Sequence, residues 1–135
     1  MRYLLDTNIV SDLVRNPHGT VMERIREVGE EQIFTSIVVA AELRFGAKKK
    51  DSPRLTAQVE KVLTALLIQP LDVPADVSYG EIRTRLEQEG RIIGGHDLLI
   101  AAQALAEECT LVTDNERQFA RVDGLRLENW LHSIR

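Results

Sequence analysis

Cysteine, aromatic residues and positive charge are all in short supply in this 135-residue chain. Aromatics make up 4% of residues against 44% hydrophobic overall, so the core has to be aliphatic. One cysteine, Cys109, excludes an internal disulfide, and its neighbours Ala106, Leu111 and Val112 mark it as a small buried filler rather than a nucleophile. No apolar run is long enough to span a bilayer, and the first residues lack the basic-then-apolar layout of a signal peptide. These absences predict a cytoplasmic protein with no membrane partner. A net charge of −4 excludes a protein that coats nucleic acid through a general basic surface. There is also no Cys/His zinc spacing, no glycine-rich phosphate loop and no serine elbow.

What is present is a regular alternation of short apolar runs and helical stretches. Residues 3–5, 32–35, 68–73, 110–113 and 125–127 read as strands, bounded by caps, Pro or Gly. Helical spacing fills the gaps, with helices expected at 9–15, 18–29, 37–47, 53–67, 76–89 and 97–108, and a helical turn at 116–119. A closing helix is expected at 129–134. Strands separated by helices predict a mainly parallel sheet covered on both faces. The chain is long enough for one continuous core and too short for two ordinary domains, so residues 1–135 are read as a single three-layer α/β/α domain.

Acids fall at positions that this architecture makes informative. In an open α/β sheet, ligands bind beyond the carboxyl ends of the strands. Asp6 ends the first apolar run, where it either caps the next helix or delivers a carboxylate to that edge. Thr113, Asp114 and Asn115 end another run in the same manner, side by side with Asp6 if the two strands are central neighbours. Glu42 has Val38, Val39, Phe45 and Gly46 at its helical neighbour positions, a face expected to be buried, where a lone carboxylate is costly without a cation. Asp97 opens a helix behind Gly94 and Gly95, which allow close backbone approach or unusual dihedrals. Three or four converging carboxylates, with no Cys and no His pair, favour a hard divalent cation, Mg²⁺ with Mn²⁺ as a substitute. The chemistry this implies is metal-assisted phosphodiester hydrolysis. His96, adjacent to Asp97, reads as structural or a substrate contact, and His18 and His132 have nothing around them. The basic residues Arg44, Lys48, Lys49, Lys50 and Arg54, against Asp51 alone, form a local +4 in a remainder of −8. That run is either a solvated helix end or a backbone-binding patch for something anionic.

The opening YLLDTN, the helix AAELRFGA, the segment GRIIGGHDLLIAAQAL and the segment LVTDNERQFARVDGLRLENW resemble a PIN-domain ribonuclease, more narrowly the VapC toxins of bacterial VapBC toxin–antitoxin modules. The resemblance spans about residues 2 to 130. It implies a PIN-like sheet of five parallel strands, with Asp6, Glu42 and Asp97 as the catalytic and metal-binding acids. The fourth position falls on Asn115, with Asp114 beside it as a substitute. Thr7, Asn8, Ser36 and Thr113 match small polar positions that orient the acids or a metal-bound water. The implied activity is Mg²⁺-dependent endoribonuclease cleavage of structured RNA, tRNA foremost and initiator tRNA in particular, with the basic run holding RNA. The implied partners are a VapB-type antitoxin that places a basic side chain in the acidic pocket, and a second copy in a homodimer or a larger complex. Two rivals stand beside this reading: a catalytically silent PIN scaffold that binds RNA or protein, and a Mg²⁺-dependent DNA nuclease. A phosphatase or receiver domain would need a lysine near the last strand, and none follows Lys61.

Overall fold

The structure, a computed structural model, describes residues 1–131. Its centre is β1 (Tyr3–Leu5), in which Leu4 and Leu5 are wholly buried. β2 (Ile33–Ser36) and β4 (Thr110–Val112) flank it, each pairing in parallel, with Leu5 in register with Thr35 on one side and Val112 on the other. β3 (Leu67–Gln69) and β5 (Arg126–Glu128) complete a five-stranded parallel sheet in the order β3-β2-β1-β4-β5. Every residue of β2 and β4 is buried, as expected for inner strands covered on both faces. The PIN-like α/β/α arrangement read from the sequence is the one found, and the strands ending in Asp6 and Thr113 are indeed adjacent.

Helices flank the sheet. α1 (Thr7–Arg15) buries Ile9, Val10, Leu13 and Val14, followed by α2 (Thr20–Val28) and a 3-10 turn (Glu30–Gln32). α3 (Ile37–Lys50) and α4 (Pro53–Ala65) come between β2 and β3. α5 (Ala75–Gln88) packs against α6 (Gly95–Ala106), and α7 (Glu116–Phe119) is the turn expected after β4. No helix among the described residues is long and apolar enough to cross a membrane.

Three local features depart from expectation by more than two residues. α3 runs on to Lys50 and stops where Asp51 turns left-handed (φ 52°), so Lys48, Lys49 and Lys50 all lie in its last turn. That placement suits the partial negative charge of a helix carboxyl end. β3 ends at Gln69 because Pro70 has no N–H for the ladder, which leaves Leu71 and Val73 exposed. Residues 129–131 are not helical, and the remainder of the expected closing helix, with His132, lies outside the described residues. Trp130 instead turns inward, 1% exposed, with its ring 5.2 Å from that of Tyr3. Cys109 is buried, its thiol donating to the Ala104 carbonyl and pushed up to about 11 by burial, as befits a filler.

Candidate active site

The carboxyl edge of the sheet is where the acids meet. Asp6 follows β1 directly and its backbone continues the ladder, donating to the Val112 carbonyl at 2.9 Å. Its side chain is buried and held at both oxygens. Oδ1 accepts the Thr7 N–H at 2.8 Å, and Oδ2 accepts the hydroxyl of fully buried Thr113 at 2.7 Å. Asp6 is thus both the cap of α1 and a carboxylate fixed from two sides, so the two sequence readings coexist. Burial raises its pKa above the usual carboxylate range, the two hydrogen bonds oppose that, and the charge of Glu42 adds to it.

Glu42 reaches the same place from α3. Ser36 ends β2 and caps the helix, its hydroxyl accepting the Val38 N–H at 3.0 Å. The following turns then carry Glu42 to where its Oε1 accepts the Thr7 hydroxyl at 3.0 Å. Its Oε2 lies 3.2 Å from Nδ1 of His96. The expectation that this helix face is buried is corrected: Phe45 is 67% exposed and Glu42 is half-buried. Val39 is buried and Val38 partly so, but Phe45 faces solvent, so Glu42 stands at the rim, where water can reach it.

Asp97 enters from the first turn of α6, half-buried, its Oδ2 accepting the side-chain amide of Gln118 on α7. Burial first, then the charges of Asp6 and Glu42, raise its pKa to about 6, with His96 opposing. Gly94 and Gly95 both avoid the left-handed region, so neither is there for unusual dihedrals, and a Cβ on Gly95 would meet nothing within 4 Å. A Cβ on Gly94 would come within 3.8 Å of Asp97 Oδ2 and 3.9 Å of Gln118 Nε2.

The structure therefore brings Asp6, Glu42 and Asp97 into one electrostatic unit, with Thr7, Ser36 and Thr113 as supports. The expected fourth group, Asp114 or Asn115, makes no hydrogen bond to the three acids among the described residues. The Asp114 carboxylate accepts the Asn129 amide at 3.2 Å, while its backbone N–H donates to Asn8 Oδ1 at 3.3 Å. Asn115 donates its backbone N–H to the Thr113 hydroxyl and leads into α7. Asn8 thus ties the loop after β4 to α1, rather than touching an acid. Gln118 and the Thr35 hydroxyl, which donates to the Leu5 carbonyl at 2.7 Å, were not foreseen. The basic run is altered too. Arg44 is taken by Glu60 through two bonds of 2.9 and 3.0 Å, and Lys48 to Lys50 lie about 9–12 Å along the helix axis from Glu42.

The donor set fits a hard divalent cation. Its atoms are carboxylate and hydroxyl oxygens, and no Lys or Arg among the described residues pairs with any of the three acids. No three His, Cys, Asp or Glu side chains close into a ready cage among the described residues. An open arrangement of this kind suits an ion that keeps several waters.

A five-stranded parallel sheet in this order, with acids gathered at its carboxyl edge, defines the class: the PIN domain model matches residues 3–125. Ribonuclease VapC2 of Rickettsia felis is 39% identical over 132 residues, covering 96% of this chain and 98% of the relative. The tRNA(fMet)-specific endonuclease VapC of Shigella flexneri is 34% identical, covering 96% of this chain and 98% of that one. Among solved structures, VapBC2 from Rickettsia felis bound to a promoter DNA fragment superposes with a TM-score of 0.88 at 38% identity, covering 96% of this chain and 99% of the other. The chain belongs to the PIN-domain family, among its VapC ribonucleases.

Proposed function

We propose that this protein is the toxin of a type II toxin–antitoxin module and cleaves structured RNA with the help of Mg²⁺. The observation that carries this is the convergence of Asp6, Glu42 and Asp97, three acids from three elements, with no Lys or Arg among the described residues paired to any of them. Asp6 and Asp97 hold the ion, each through a carboxylate with lone pairs left over from its hydrogen bonds. A bound divalent ion supplies Lewis acidity to the phosphate and lowers the pKa of water. Glu42, at the open rim, accepts the proton of the attacking water through an oxygen already oriented by Thr7 or His96. Lys48, Lys49, Lys50 and Arg54, all exposed, hold the RNA backbone beyond the rim. The tRNA(fMet) specificity in the name of the Shigella flexneri relative makes initiator tRNA the first substrate to test.

The test is cleavage of total and initiator tRNA by the purified chain in Mg²⁺, in EDTA, and after Mg²⁺ is restored. Discrete fragments that vanish with EDTA and return with Mg²⁺ are expected. Cleavage that persists in EDTA would sink the metal mechanism. Inert RNA alongside demonstrable Mg²⁺ binding would favour the silent scaffold, unless DNA is cut instead.

Two surfaces supply places for partners. An apolar groove of about 530 Å³, lined by Leu13, Val14, Met22, Ile25, Val62 and Leu66, suits an amphipathic helix of a VapB-type antitoxin. Relatives crystallised as VapBC complexes support a VapB-type partner. On α3, Ile37, Ala41 and Phe45 recur at four-residue spacing, and all three are exposed. That stripe is the contact for a second copy, which would set two acidic sites near one another. Size-exclusion with light scattering should give twice the 15.2 kDa chain mass, falling to one chain for Phe45→Glu. A wild-type monomer, or a variant that stays dimeric, would remove the stripe from the interface.

A further inference from the structure

We infer that Gln118 is a positioning residue: its side-chain amide, presented by α7, holds the Asp97 carboxylate in the orientation that lets it share a divalent cation with Asp6. The inference rests on the metal-dependent reading above and assigns that site a member which the acid pattern does not reveal.

The three acids are not equally secured. Asp6 is buried and gripped at both oxygens, and Glu42 has a contact at each of its own. Asp97 has the Gln118 amide as its side-chain partner among the described residues. It also carries the strongest reason to move, because Asp6 and Glu42 both repel it. An untethered Asp at the first turn of a helix would swing toward solvent, where its charge is cheap.

The kind of donor matters as much as its position. A Lys or Arg would hold Asp97 by cancelling its charge and would compete with the metal. A Glu, when ionised, has no proton to give. The amide of Gln fixes the carboxylate and leaves its charge intact. Gln118 is itself well placed to be rigid, since the next residue, Phe119, is fully buried and pins the single turn of α7 to the core.

The test is Mn²⁺ binding to metal-free protein by calorimetry, comparing wild type, Gln118→Met, Asp97→Asn and the double variant. Met keeps the length and removes the donor. Gln118→Met should weaken Mn²⁺ binding about tenfold, the low end for losing a hydrogen-bond partner of a metal ligand. The RNA KM should stay unchanged while the metal concentration for half-maximal cleavage rises. In the Asp97→Asn background the Met substitution should add nothing. Gln118→Met binding Mn²⁺ within about twofold of wild type would overturn the proposal and leave the nuclease reading standing. Wild type that fails to bind Mn²⁺ would overturn both. Should Gln118→Met not fold, wild type still decides. The Gln118 side-chain amide signals must shift on Mg²⁺ addition with the same half-saturation as binding, and an unresponsive pair of signals would overturn the inference.

Discussion

Asp97→Asn should abolish most RNA cleavage and at the same time make the metal-free protein more stable above about pH 6. Cleavage should drop about 10²–10³-fold, the size typical when one preorganised electrostatic group is removed. The gain in stability follows from the sign of the shift. The carboxyl moves from its ordinary 3.8 to about 6, with burial as the main cause and Asp6 and Glu42 adding repulsion. Below 3.8 it is protonated in folded and unfolded chains alike. Between 3.8 and 6 only the folded chain holds the proton, so stability falls as pH rises through this window, and above it the loss is complete. Fully shielded from water, that difference would be roughly 3 kcal/mol. Asp97 is only half-buried, which reduces the expected gain for Asn to about 1–2 kcal/mol. Its place in the first turn of α6 favours the ionised form by about 0.3–1 kcal/mol, too little to reverse the outcome. Urea unfolding in EDTA checks this. The two proteins should match near pH 4 and diverge toward pH 8, and an Asn variant that is the weaker one at pH 8 would contradict it.

Trp130→Ala should have the largest effect on stability of any single truncation. The ring is 1% exposed, packs at a tilt against the Tyr3 ring at 5.2 Å, and has the Arg24 guanidinium 5.4 Å from its centroid. Its Nε1–H donates to Glu128, and its carbonyl accepts the Thr20 hydroxyl at 2.9 Å, so it joins β5, α2 and β1. Truncating a buried Trp costs about 3–5 kcal/mol, and for a chain of this size the thermal midpoint should fall on the order of 10–20 °C. Differential scanning calorimetry measures it directly. A fall of less than about 3 °C would show that this end of the chain contributes little to the core.

Trp130 also shows where sequence pattern stops being informative. The tail reads as a closing helix, yet Trp130 is anchored instead by a group 110 positions away. The sheet was legible because short buried runs end in abrupt polar residues, and Asp6 and Thr113 mark the carboxyl ends of adjacent strands. Glu42 was legible for an unsound reason. Its flanking apolar residues suggested burial on every side, yet Phe45 is exposed while Val39 is buried. An apolar helix stripe signals a contact, and a single chain does not say whether the contact is its own core. Gln118 gave no signal, since its bond to Asp97 joins two helices across a gap of 21 residues. The excess charge around Arg44 was overcounted for a similar reason, because Glu60 lies on the next helix. Spacing reveals partners within one element and is silent about those between elements.

The order of strands carries a consequence for how this protein comes into being. β1 is made first, yet one of its two neighbours in the sheet is β4, more than a hundred residues later. Asp6 cannot be gripped from both sides until Thr113 arrives, and Asp97 gains its tether only with Gln118. A nascent chain that already carries all three acids therefore still lacks the groups that hold them in place. Non-local pairing of this kind is slow to form, because the intervening loop has to close before the contact repays it. The arrangement of acids is therefore among the last parts of this fold to be fixed, although its first member stands at the sixth residue.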